Sequence, residues 1–260
     1  MDNLHQFQYG LLTPLLAFLM ASVGSGLGLR CVIRAVGTSG AARRGWLITS
    51  ATAIGAGVWT MHLITLLGFV VDGSPIRFSV SLTLLSLVAA LVGAGAGVSA
   101  AGYSRSWARG IGLGGLSIGA GIAAMHYIGM AAMQIHGTIS YDNTAVAVSL
   151  LIAVGTASVA LLVAFYVPGV RGTVVAAVLM GAAAVGTQYM GTAGLQLDVH
   201  QGTSVLSGAS AVEFILPLIV VFGSFVFLCS AFVALSPGAQ ERTIHDGAPS
   251  EPSRAPELAS

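Results

Sequence analysis

"IGAGVWTMHLITLLG", Ile54–Gly68, and "IGAGIAAMHYIGMAA", Ile118–Ala132, are two copies of one pattern. A degraded third copy reads "MGAAAVGTQYMGTAG", Met180–Gly194. His62 and His126 stand 64 residues apart, and Gln188 follows 62 residues later. Self-similarity at such a period marks a repeated structural unit. Each unit holds two apolar runs, so an even number of crossings separates one copy from the next. All three copies then run the same way through a membrane, as parallel repeats about an axis along its normal.

The membrane itself follows from composition. Of 260 residues, 55% are hydrophobic and 7% charged, against roughly a quarter charged in soluble domains. Apolar runs of about 20 residues cross the hydrocarbon as helices. Seven are predicted, near 10–33, 46–71, 78–101, 110–135, 144–167, 172–197 and 211–235. The fold class is therefore an all-α integral membrane protein, three parallel two-helix repeats plus a seventh helix. No lysine occurs, which excludes a retinal Schiff base. The net charge of +1 and the lack of a basic block give no footprint for nucleic acid.

Arginines gather in alternate connections: Arg34, Arg43 and Arg44, then Arg105 and Arg109, then Arg171. Basic residues favour the cytoplasmic side, which predicts an outside N-terminus, an inside C-terminus and a multi-pass protein of a bacterial-type inner membrane. The start "MDNLHQFQYG" lacks the cationic opening of a signal peptide. From Ser236 the chain turns Pro-, Ser- and Ala-rich, a composition that builds no core. A seven-helix domain over 1–235 and a disordered cytoplasmic tail over 236–260 are expected. No catalytic domain is expected after it, so any output passes through a separate cytoplasmic partner. Cys31 and Cys229 read as small apolar filler.

Equivalent positions in parallel repeats share a depth. His62, His126 and Gln188 are thus expected in one layer, roughly 24 Å above the cytoplasmic helix ends at 1.5 Å per residue. Gly55, Gly57, Gly119, Gly121 and Gly181 let the backbones approach. A lone histidine in a membrane helix often only bonds a carbonyl. Two in matching motifs point to function.

On the fourth span, predicted to run to 135, His126, Met130 and Met133 form one stripe at i, i+4 and i+7. Met61 and Met125 precede the two histidines. Imidazole with thioether is a copper-type donor set, whereas zinc more often recruits thiolate or carboxylate. Methionine is also ordinary core filler, and only its register with His126 lifts this stripe above that reading. The candidate metal ligands are His62, His126, Met130, Met125, Met61 and Met133. Gln188 and Glu213 are candidates for supporting roles, Glu213 either solvated at the interface or turned to the layer, as its charge partner or reaching the metal. His5, His136 and His200 are expected in solvent on the same side.

"MHYIGM", Met125–Met130, resembles the signature of the MHYT domain family, with a weaker copy in "MHLITL" and a degenerate one in "TQYMGT". The resemblance covers all seven helices. It implies a membrane sensor domain that binds copper through Met and His, with a diatomic gas (oxygen, carbon monoxide or nitric oxide) as its signal. By position His62, Met61, His126, Met125 and Met130 match the motif. Leu63 and Leu66 replace Tyr and Met in the first copy, and Gln188 replaces a third His.

Two other readings stay open. His62 and His126 could ligate a haem iron axially, although few aromatics flank the motifs. A small-ion channel or transporter could use the polar layer, although no second layer continues inward. Enzymatic turnover is not expected, since no nucleophile stands beside a base.

Overall fold

The computed structural model describes residues 4–5, 8–72, 74–167, 169–199 and 206–235. The predicted tail over 236–260, its boundary and His200 lie outside the described residues. Among the described residues, seven helices are long and apolar enough to cross a membrane. They are α1 (Leu12–Val36), α2 (Gly40–Leu67), α3 (Val80–Tyr103), α4 (Trp107–Ala131), α5 (Asn143–Tyr166), α6 (Gly169–Ala193) and α7 (Leu216–Leu235), the last led by a π-helical turn, Ala211–Ile215.

α1 and α2, α3 and α4, and α5 and α6 form tight pairs. α2–α3, α4–α5 and α6–α1 contacts then close the pairs into a ring. Inside it α2, α4 and α6 meet one another about the axis, and α7 lies outside against α1 and α2. The three parallel repeats and the added helix are thus the architecture observed.

Glycine makes the packing possible at two related sets of positions. Within pairs, Gly57 of α2 backs onto Gly24 of α1, and Gly121 of α4 onto Gly93 of α3. Between pairs, Gly55 faces Leu91 of α3, Gly119 faces Val154 of α5, and Gly181 faces Ser22 of α1. A β-carbon at any of these would collide with the neighbouring helix. In lipid, helix association depends on such close van der Waals contact rather than on hydrophobic burial.

The predicted spans running to 71, 135 and 197 overshoot. The helices stop at Leu67, Ala131 and Ala193, and the chain turns into short strands. β1 (Leu4–His5) pairs antiparallel with β2 (Val70–Val71), β3 (Arg77–Phe78) with β4 (Met133–Gln134), and β5 (Gly137–Tyr141) with β6 (Leu195–Val199). In every case the strand before the first helix of a pair bonds the strand after the second. The repeat is therefore β–α–α–β. Backbone groups leaving a helix near the membrane surface need partners, and these sheets supply them. All three sheets cap one end of the bundle, and the arginine-rich connections lie at the other, open end.

Candidate metal centre and ligand layer

His62, His126 and Gln188 each stand five residues before the end of their helix at the capped end. At 1.5 Å per residue the layer lies about 7.5 Å below those ends. All three side chains are fully buried, at 0%, 1% and 1% exposure. The expectation of one shared layer holds.

Their geometry is specific. Gln188 Oε1 lies 2.7 Å from His62 Nδ1 and 2.9 Å from His126 Nδ1. The two rings meet edge to face with centroids 5.5 Å apart. An amide oxygen only accepts, with two lone pairs. Both imidazoles therefore donate from Nδ1–H, and each Nε2 keeps a bare lone pair. Among the described residues neither Nε2 has a hydrogen-bond partner, nor has the Gln188 amide nitrogen. Two naked acceptors and one naked NH2 in a buried layer are costly, and each such group in a native fold calls for a physical reason.

The Nε2 atoms do not face one another. His62 Nε2 abuts Gly129 on α4, and His126 Nε2 abuts Gly191 on α6, each at the place where a β-carbon would stand. Gly129 and Gly191 occupy the same position in the repeat, three residues after His126 and Gln188. α2 and α4 thus each aim a histidine at a glycine of the next inner helix.

Two copies of the family model described as "MHYT: Bacterial signalling protein N terminal repeat" match residues 55–114 and 119–177. Each begins at the equivalent glycine, Gly55 and Gly119, 64 residues apart. The chain belongs to the MHYT family.

It is 39% identical over 160 residues to the bifunctional diguanylate cyclase/cyclic di-GMP phosphodiesterase MucR of Pseudomonas aeruginosa, covering 59% of this chain and 23% of that protein. Against the cyclic di-GMP phosphodiesterase NbdA of the same organism, identity is 33% over 240 residues, 89% of this chain and 30% of the relative. An uncharacterized signaling protein of Caulobacter vibrioides is 34% identical over 157 residues, 60% of this chain and 19% of its own length. The chain therefore spans less than a third of each of these relatives. No solved structure matches it. What the matches have in common with this chain is a membrane domain of bacterial signalling proteins.

The other MHYT positions fall as follows. Met61, Met125 and Met130 are buried in the helical core. Met133 is buried too, but not on the helical stripe: α4 ends at Ala131, and Met133 sits in β4 opposite Phe78. The i+7 relation to His126 is thereby lost, because the repeat closes into a sheet there. Glu213 takes the solvated of its two expected positions. It is exposed, completes a capping box with Ser210 at the start of the π-helical turn, and lies 3.9 Å from Arg77. Capping boxes satisfy the orphan N–H groups of a helix start. His136 is half-buried in the cap, its backbone N–H donating to Ser74 Oγ at 2.8 Å. Among the described residues no group of three or more His, Cys, Asp or Glu gathers. A metal here would rest on the two imidazoles and on uncharged donors.

Sequence reasoning missed Gly129 and Gly191 as parts of the site. Their signal was the repeat itself, with glycine at the third position after the polar residue in the second and third copies. It also missed Tyr127, whose ring packs edge to face on His126 at 4.8 Å and whose hydroxyl meets Ser149 Oγ at 2.7 Å. Outside the span, Tyr141 meets Tyr127 edge to face. Burial, and secondarily Tyr127, pushes the Tyr141 phenol up to about 12.

Proposed function

We propose that this chain is the sensory membrane domain of a signalling system and that the His62–His126–Gln188 layer is its input site, taking copper and, through it, a diatomic gas. One observation carries the reading: two buried imidazoles are fixed by a single amide oxygen while their remaining polar atoms stay unpartnered. The donor set suits copper, since neutral imidazole and the buried thioethers of Met61, Met125 and Met130 are soft or borderline ligands without charge. The two Nδ1–H edges converge on Gln188 and are occupied by it, so the atoms left to bind are the two Nε2 lone pairs. That amide plays the part of an outer-shell group orienting a ligand, and its free NH2 is placed to donate to whatever binds. When bound, copper would supply an open coordination position for oxygen, carbon monoxide or nitric oxide. Output runs to cyclic di-GMP-handling modules, attached or separate, by analogy with the activities that MucR and NbdA are named for.

The test is copper titration of detergent-purified protein under reducing conditions, with metal analysis and an absorption spectrum. His62→Ala and His126→Ala should each lower bound copper at least tenfold, whereas His136→Ala should leave it unchanged. Equal retention in both motif variants would overturn the shared site. A Soret band in the purified protein would favour haem instead.

A further inference from the structure

A second feature lies at the open end of the bundle, far from the histidine layer. A cleft of about 230 Å³ opens between α1, α6 and α7. Its walls are mostly apolar, Val23, Leu27, Val174 and Ala177 among them, and Arg30 stands in it. Arg30 is half-buried and sits six residues before the end of α1, about 9 Å inside the helix end at 1.5 Å per residue.

The neighbouring arginines are accounted for. Arg34 lies over the Trp46 ring at 5.1 Å. Arg43 donates to the carbonyls of Thr38 and Ala35, at 2.7 and 3.2 Å, and lies over Tyr103. Arg30 has no hydrogen bond, carboxylate or ring among the described residues. An arginine within a membrane span pairs with something. Ser230 of α7 lines the same cleft, and its hydroxyl has no partner among the described residues. The helix on that side is weakly held, with 11% of the α7 span buried, against 72% for α2.

We propose that this cleft binds an anionic phospholipid, its phosphate on Arg30 and an acyl chain along the apolar seam between α1, α6 and α7. The charge calls for an anion. The apolar walls, open to the bilayer side, call for one that carries a hydrocarbon chain, because a free ion would gain nothing from them. Basic pockets between helices near the cytoplasmic leaflet are suited to acidic headgroups. Bound lipid would also fill the loose seam that joins α7 to the ring.

The experiment is native mass spectrometry of the full chain, released from detergent after titration with phosphatidylglycerol or phosphatidylcholine. Phosphatidylglycerol should be retained at least tenfold better than phosphatidylcholine. Arg30→Gln should abolish that preference, Arg30→Lys should keep most of it, and Arg44→Gln, at an exposed position near the start of α2, should keep all of it. Val174→Phe, which crowds the cleft with Arg30 intact, should lower retention even if Arg30→Gln fails to fold. Inorganic phosphate at matching concentration should not compete; full competition would show a free-anion site and overturn the lipid proposal. Equal retention of the two lipids by the wild-type chain, or unchanged phosphatidylglycerol binding in both Arg30→Gln and Val174→Phe, would overturn it as well.

Discussion

His62 Nε2 lies against Gly129 at the point where any other residue would place its β-carbon. The same contact recurs one step around the axis, between His126 and Gly191. These glycines are thus part of the site rather than general packing. Gly129→Ala or Gly191→Ala must push an imidazole off Gln188, at an overpacking cost of about 1–3 kcal/mol. Thermal unfolding in detergent should show both variants destabilised and copper retention lowered. Gly112→Ala, with nothing within 4 Å of its added carbon, should be neutral or slightly stabilising.

The shared carbonyl of Gln188 makes a prediction about protons. Both imidazoles should be the Nδ1–H tautomer, visible in the nitrogen-15 spectrum of histidine-labelled protein. Gln188→Leu removes the acceptor and leaves two buried donors, each worth about 1–3 kcal/mol if orphaned. The rings should then change tautomer or orientation, and stability should fall. Nε2–H signals from both histidines in the wild-type protein would refute this arrangement.

Much of this was legible in the chain. Ile54–Gly68 and Ile118–Ala132 carry the repeat, its direction and the common depth of His62 and His126, because helical geometry converts equal sequence position into equal height. Gly55, Gly119 and Gly181 announced the close helix contacts for the same reason. The cap was not legible. β5 pairs with β6 across more than fifty residues, and strands of two residues such as Val70–Val71 carry no periodicity to detect. Met133 was misplaced on that account, since a helical register was carried past the point where the sheet begins.

Topology gives a further prediction. Arg34, Arg43, Arg44, Arg105, Arg109 and Arg171 all belong to the open end, whereas Arg77 stands in the cap. The positive-inside rule therefore predicts that the β cap faces outside. In a background with Cys31 and Cys229 replaced by Ala, Ser140→Cys in exposed β5 should react with an impermeant maleimide added to intact cells. Ala42→Cys at the open end should react only after lysis. The reverse pattern would place the histidine layer near the cytoplasmic face and open the Arg30 cleft to the outer leaflet.

The third step around the axis tests the symmetry itself. His62 of α2 meets Gly129 of α4, and His126 of α4 meets Gly191 of α6. The matching step runs from Gln188 of α6 to α2, where the residue three after His62 is Thr65. Thr65 is fully buried, its hydroxyl donating to the Met61 carbonyl at 3.1 Å. A threonine thus stands where the other two steps have glycine, and the matching residue of α6 carries an amide instead of an imidazole ring. Gln188→His alone should therefore fit poorly: the ring needs the space that the Thr65 side chain fills, so stability should drop and copper binding should not tighten. Gln188→His with Thr65→Gly should recover stability relative to Gln188→His and give the tightest copper binding of the set, with a third imidazole in the layer. A double-mutant cycle read by thermal unfolding and copper titration should show a coupling of about 1 kcal/mol or more, as for residues in direct contact. Additive effects would mean that Gln188 and Thr65 do not meet, and the three-fold relation would then hold for the backbone but not for the site.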